Sequence, residues 1–382
     1  MKSVRIGVIG CGNISSNYLN GCRMYPILDV VACADLDIDR ARETAAQHNI
    51  PRVCSVEELL GDPEIEIILN LTTPRAHAEV NLAAIEAGKA AYSEKPLAVT
   101  REEGLTILAE AQERGVLVGG APDTFLGGAH QMCRRIIDDG WIGRPVGAFG
   151  CWVSGGVESR HPDPEFYYQK GSGPMFDAGP YCVTALIHML GPAKRVTGSA
   201  QMTFPERIIT SAKKYGARIT VEIPTYISGV VDFACGAVGT VITTFDVMAH
   251  GLPFVEVYGT EGSLRVPDPN CFGGVVEIFR PEGFEVKPNS GDKKIIGASQ
   301  WFSVEWRDKY QENARGIGLA DMAYALRTGR KHRASGELAY HFLDIAHAFH
   351  DASRDGKHVE VKSTCEQPEP FPVGLEAGIL DD

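Results

Sequence analysis

Gly10-Cys11-Gly12-Asn13 stands directly behind an apolar run that opens at Val4, and a helix-compatible stretch follows it. Strand, tight turn and helix in that order make a glycine pattern into a phosphate cradle. Gly10 permits the turn and Gly12 lets the backbone approach a pyrophosphate. Amides at the next helix's N-terminus then attract its negative charge. Ser15 takes the third position, where Gly or Ala is usual. A second apolar run, Val30 to Ala34, ends in Asp35, at the spacing where an acid holds ribose hydroxyls. These residues predict a dinucleotide site. Asp35, Asp37 and Asp39 precede Arg40, and such a group of carboxylates repels the extra phosphate of NADP. The expected cofactor is NAD.

The first 120 residues alternate strand and helix. Strands are expected at 4–9, 30–34, 66–71, 90–93 and 116–119. Ser55 with Glu58, and Thr100 with Glu103, form capping boxes that start two of the helices. Alternation of this kind implies a parallel sheet with helices on both faces and a ligand edge at the strand ends. That edge collects Gly10 to Asn13, Asp35, Thr72-Thr73-Pro74 and Ser93-Glu94-Lys95-Pro96. Beyond residue 122 the pattern changes. A helix is expected near 128–139, then strand-like runs at 145–154, 194–204, 218–222, 227–233, 238–246, 254–258, 263–266 and 275–279. An apolar helix near 177–190 interrupts them, and helices near 312–329 and 336–355 follow. The chain therefore divides into residues 1–122, for the cofactor, and 123–382, a second α/β domain with a mostly antiparallel sheet. At 382 residues it suits two cores.

A net charge of −12 with no basic block argues against nucleic acid or an anionic membrane as partner. No apolar run approaches the roughly 20 residues of a membrane span, and the first strand leaves no room for a signal peptide. Ten scattered cysteines without a Cys-x-x-Cys pair fit buried reduced thiols and a cytoplasmic setting. His332, His341, His347 and His350 lie on or near C-terminal helices; a solvated helix face accounts for them, and no metal site is expected.

Three groups of residues suit chemistry. Lys95 follows a buried strand on the cofactor edge, and Pro96 holds it extended. Beside an oxidised nicotinamide, at about 5 Å and an effective dielectric near 20, it meets roughly 3 kcal/mol of repulsion. That depresses its pKa by about two units and readies it to take a hydroxyl proton. The alternative is a solvated lysine paired with Glu94. Next, the Gly/Pro-rich stretch Gly171 to Tyr181 leads into the apolar helix through Asp177. Asp177 and Tyr181, four apart, share a helix face, where a mere cap and a packing tyrosine are the bland alternative. Last, the polar and aromatic loop 160–170 offers Arg160, His161, Tyr167, Tyr168 and Lys170 to a sugar ring or an anionic group. With Asp123, Asp177 and Tyr181 they form the expected substrate-binding set.

Together these residues resemble the Gfo/Idh/MocA oxidoreductases, the family of glucose–fructose oxidoreductase and inositol dehydrogenase. The likeness rests on Gly10-Cys11-Gly12-Asn13-Ile14, Asp35, Thr73-Pro74 with His77, Ala87-Gly88-Lys89, Glu94-Lys95-Pro96-Leu97, Ile142-Gly143, Gly173 to Asp177, and Tyr258 to Ser263. It implies an N-terminal Rossmann domain and a C-terminal α/β domain whose open-faced sheet makes a homodimer or homotetramer. It places Gly10, Gly12, Asn13, Ile14, Asp35, Thr72, Thr73, Pro74, His77, Glu94 and Lys95 at the cofactor. The family's catalytic lysine falls on Lys95 and its substrate-site aspartate on Asp177. The histidine usual four residues later is Tyr181 here. The implied activity is NAD-dependent oxidation of a secondary hydroxyl of a sugar, inositol or related polyol. Lys95 accepts the proton, Tyr181 hydrogen-bonds the hydroxyl and Asp177 orients it. The alternative is an NAD-dependent glycoside hydrolase working by transient oxidation, elimination, water addition and re-reduction, with Arg160 and Lys170 holding an anionic glycoside.

Overall fold

Six strands, Val4–Ile9 (β1), Leu28–Ala34 (β2), Arg52–Val53 (β3), Ile67–Asn70 (β4), Ala90–Ser93 (β5) and Val118–Gly120 (β6), pair in the order β3-β2-β1-β4-β5-β6, all parallel. The structure, a computed structural model, describes residues 1–281, 300–305 and 309–381. Every residue of β4 and β5 is buried, and the strands therefore open with the continuous runs Ile67-Ile68-Leu69 and Ala90-Ala91-Tyr92 rather than alternating. The helices between strands are Ser15–Cys22 (α1), Ile38–His48 (α2), Val56–Gly61 (α3), Pro74–Glu86 (α4) and Arg101–Arg114 (α5). Both expected capping boxes form, at Ser55/Glu58 and Thr100/Glu103. Strand order reverses between β1 and β4, so the crevice for a ligand opens beyond their carboxyl ends.

Among the described residues the second sheet has nine strands. Chain order runs Gly128–Asp138 (α6), Pro145–Val153 (β7), Pro174–Asp177 (α7), Gly179–Leu190 (α8), Ala193–Gln201 (β8), Glu206–Ile208 (β9), Arg218–Thr220 (β10), Tyr226–Phe233 (β11), Val238–Thr244 (β12), Val255–Gly259 (β13), Ser263–Val266 (β14), Glu277–Phe279 (β15), Trp301–Ser303 (β16), Ile317–Thr328 (α9), Gly336–Asp355 (α10) and Val359–Glu360 (β17). The order across the sheet is β16-β15-β14-β13-β7-β12-β11-β8-β17. Its pairs are antiparallel except β7 with β12. Ile227, Val231 and Val241 are buried on the face that α8 and α10 cover. Alternate residues face the other way: Val230 is half-buried and Val238 exposed.

Four differences from the expected elements have plain causes. Strands β3, β9, β16 and β17 are two or three residues long, too short to carry a period. The run at 218–222 pairs with β9 in a separate two-stranded ribbon rather than joining the large sheet. The helix expected from 312 begins at Ile317, because Tyr310 (φ 66°) and Gly316 (φ 95°) take left-handed conformations. The helix expected over 177–190 is two helices, with Ala178 (φ −108°) between them. Helices α9 and α10 also pack on β6, α1 and α5 of the first sheet, so the second half of the chain is built onto the first.

Candidate active site

The glycine turn is made as expected. Gly10 has φ 98°, and a Cβ there would lie 2.7 Å from the backbone of Leu71. Gly12 by contrast faces open space, so a pyrophosphate can approach its backbone. Asp35 accepts from the Cys11 amide at 2.7 Å and the Asp37 amide at 2.8 Å, which ties the two loops of the crevice together. Asn13 and Thr73 are exposed, and Ile14, Thr72 and Pro74 are half-buried on the same edge. These groups fit a dinucleotide. Two expected cofactor ligands do not reach it with their side chains. His77 is 1% exposed and sits between the carbonyls of Pro96 (2.6 Å) and Thr72 (3.1 Å). Glu94 is buried and takes hydrogen bonds from Tyr18 (2.8 Å) and the Lys95 amide (3.0 Å). Both brace the loop that carries Lys95.

Lys95 meets residues from the far half of the chain. Its Nζ donates to Asp177 Oδ1 at 2.6 Å and lies 5.3 Å from the centroid of the Tyr181 ring. Asp177 ends α7 instead of capping α8, which releases its carboxylate for this pair. Burial pulls the Lys95 amine down, but Asp177, with Tyr181 and Glu94 behind it, outweighs burial and holds it above the ordinary lysine value. That is the direction in the free protein; the expected depression concerns the amine beside an oxidised nicotinamide, and it left out the carboxylate in contact.

Beneath Tyr181 lies Arg315, which the sequence reading passed over. Its Nη2 donates to Tyr181 Oη at 3.4 Å and to Asn270 Oδ1 at 2.9 Å. Its Nη1 is 3.7 Å from Glu94 Oε1. Burial would raise the Glu94 carboxyl, yet Arg315, Lys95 and the Tyr18 hydroxyl more than reverse this and keep it below the usual range. Trp152, also unanticipated, sets its ring 6.1 Å from both Tyr181 and Phe254. Arg315 was hidden inside a presumed helix. The glycines at 316 and 318 were the available signal that a loop, not a helix, presents it.

The loop before α7 splits its expected residues. Tyr167 is half-buried against Phe166, centroids 4.1 Å apart; burial pushes its phenol up to about 12, Asp177 adds to the rise, and Lys95 and Arg160 oppose it. His161 packs edge-on against Phe166 and Tyr167, with centroids 5.5 and 5.2 Å apart, while its Nδ1 accepts from the Asp163 amide. Arg160 and Lys170 are exposed. Tyr168 is a correction. It is fully buried and donates to Glu158 at 2.5 Å, and Arg207 joins Glu158 to Asp246 beside it. It anchors the loop and cannot meet a substrate. Asp123 is a second correction: fully buried, it accepts from the amides of Gly316 (3.0 Å) and Gly318 (3.2 Å) and shapes the turn behind Arg315. The C-terminal histidines are structural. His332 and His347 meet the carbonyls of Val118 and Val99, and His341 accepts from the Ala193 amide.

Two family models match this architecture half by half. Residues 4–120 match the oxidoreductase family with NAD-binding Rossmann fold, and residues 130–265 match the GFO/IDH/MocA C-terminal domain. The chain belongs to the Gfo/Idh/MocA oxidoreductase family. It is 29% identical over 324 residues to trans-1,2-dihydrobenzene-1,2-diol dehydrogenase of Bos taurus, covering 84% of this chain and 90% of that one. It is likewise 29% identical over 283 residues to inositol 2-dehydrogenase 3 of Saccharopolyspora erythraea, covering 70% and 74%. Its fold matches levoglucosan dehydrogenase in complex with NADH and L-sorbose with a TM-score of 0.79 at 22% identity, over 95% of this chain and all of that one. This member of the family is thus an NAD-binding oxidoreductase, and its N-terminal crevice is the NAD site.

Proposed function

We propose that this oxidoreductase oxidises a secondary hydroxyl of a cyclic polyol, a sugar or an inositol-like ring. One observation carries the reading: Lys95 and Asp177, 82 residues apart, form a contact of 2.6 Å at the cofactor edge, with the Tyr181 ring 5.3 Å from Lys95 Nζ and Trp152 beside Tyr181. Aromatic faces beside convergent hydrogen-bonding groups suit a ring that is apolar on its face and hydroxylated at its rim. The relatives named above act, by their names, on a diol, an inositol and levoglucosan, which agrees with that class.

NAD supplies the hydride acceptor when bound in the glycine crevice. Asp177 orients the reacting hydroxyl, Tyr181 hydrogen-bonds its oxygen, and Lys95 Nζ takes its proton. In the free protein Lys95 is held as an ammonium by Asp177. Proton uptake by Lys95 therefore needs its neutral form, which a positive charge held at the cofactor edge would favour.

The test is to incubate the protein with NAD and a panel of free sugars, inositols and glycosides in heavy-oxygen water, reading NADH absorbance beside product masses. NADH accumulating with a product two hydrogens lighter supports the dehydrogenase. Labelled sugar released from a glycoside without net NADH overturns it in favour of redox-cycling hydrolysis.

A further inference from the structure

We propose that Arg315 is a positioning residue that fixes the direction of the Tyr181 hydroxyl proton, turning it to the substrate oxygen; this rests on the polyol dehydrogenase reading above. A guanidinium is all donor and carries no acceptor. With Arg315 Nη2 donating to Tyr181 Oη, the phenol oxygen serves as acceptor on that side, and its own proton must be given elsewhere. The Lys95 ammonium, 5.3 Å from the ring centroid, has no lone pair to receive it. Among the described residues the hydrogen bond recorded at Oη is the one from Arg315. The acceptor left for the phenol proton is an oxygen of the bound substrate.

The guanidinium is itself held on several sides. Asn270 accepts from it at 2.9 Å, and the Glu94 carboxylate faces it at 3.7 Å. The backbone behind it is locked: Tyr25 donates to the Ala314 carbonyl at 3.0 Å. A Cβ on Gly21 of α1 would fall 1.9 Å from the Arg315 carbonyl oxygen. Arg315 is 8% exposed, so water does not compete well for its donors. Glu94 thus sits between the two cations of the site, bonded to the Lys95 amide and facing Arg315. One carboxylate sets the position of the proposed proton acceptor and of the residue that aims Tyr181. In family members with histidine at this position no phenol proton needs aiming, so the device belongs to the tyrosine variant.

The experiment compares wild type, Arg315→Met, Arg315→Lys, Tyr181→Phe and the Arg315→Met/Tyr181→Phe double variant with saturating NAD and the polyol that wild type oxidises. Arg315→Met should lower kcat about tenfold or more with KM for NAD unchanged, and Arg315→Lys should recover part of the loss. The double variant should be no slower than the slower single, because both changes remove the same hydrogen bond to substrate. Losses that multiply in the double variant, or an unchanged kcat in Arg315→Met, overturn the proposal. A substrate-free readout accompanies this, using protein labelled at the tyrosine ring carbon Cζ and loaded with NAD. The resonance missing from Tyr181→Phe should move in Arg315→Met and Arg315→Lys, and one that stays put also overturns the proposal. If Arg315→Met fails to fold, Arg315→Lys alone decides by the same resonance and by kcat. If wild type oxidises no polyol, the functional reading fails while the resonance still decides Arg315.

Discussion

Asp177→Asn isolates the charge that holds Lys95 protonated. At 2.6 Å and an effective dielectric near 20, a unit pair attracts by roughly 6 kcal/mol. Desolvation of both groups takes back much of this, and neighbours of this kind move a pKa by about 1–3 units in practice. The sign follows from the direction of the shift. Asp177 raises the Lys95 amine in the free protein and pulls in the same direction in the loaded enzyme, where kcat reports the value in the complex; oxidation that needs the neutral amine accelerates as pH climbs through that value. Asparagine keeps the shape and much of the hydrogen bonding but removes the charge. The rising limb of kcat against pH should therefore move to lower pH by about 1–3 units in Asp177→Asn. The absolute rate falls as well, because Asp177 also orients the substrate, but only the position of the limb is diagnostic. The assay is NADH formation from saturating NAD and polyol across about pH 6 to 11. A limb that stays in place, or moves up, refutes Lys95 as the proton acceptor.

Lys95→Ala should abolish turnover while leaving NAD affinity, read by fluorescence titration, nearly intact; a wild-type rate refutes the scheme. Asp35→Ser removes the carboxylate tied to the Cys11 amide and frees Arg40, 3.5 Å away, so affinity for NADPH relative to NADH should rise about tenfold or more, a change of roughly 1.4 kcal/mol. An unchanged ratio would remove Asp35 from cofactor selection. Arg207→Met leaves Glu158 and Asp246 buried without their cation, at a cost of about 3–5 kcal/mol in denaturant unfolding; a loss under about 1 kcal/mol would show the cluster to be dispensable. Val230→Lys on the outward face of the large sheet should split the expected homodimer or homotetramer, as measured by light scattering after gel filtration, and a monomeric wild type overturns that expectation.

The cofactor crevice was legible because its determinants are local. Gly10 must take a positive φ, Asp35 must end a strand, and both facts live within one βα unit. The place of Lys95 on the same edge was legible for the same reason, two residues beyond the buried strand β5. What could not be read was how distant groups meet. Tyr167 and Tyr168 are neighbours of one residue type, yet one is half-buried and the other is sealed beside Arg207; only the pairing of Arg207 with Glu158 and Asp246 decides between them. Glu94 was placed at the cofactor by its position on the edge and His77 by the resemblance, but the Glu94 carboxylate is spent on Tyr18 and Arg315, and His77 gives a ring N–H to the Pro96 carbonyl. The protonation of Lys95 shows the same limit most sharply. A local argument sees the cofactor's positive charge and predicts a depressed amine. The fold brings Asp177 from 82 residues away and reverses the sign in the free protein.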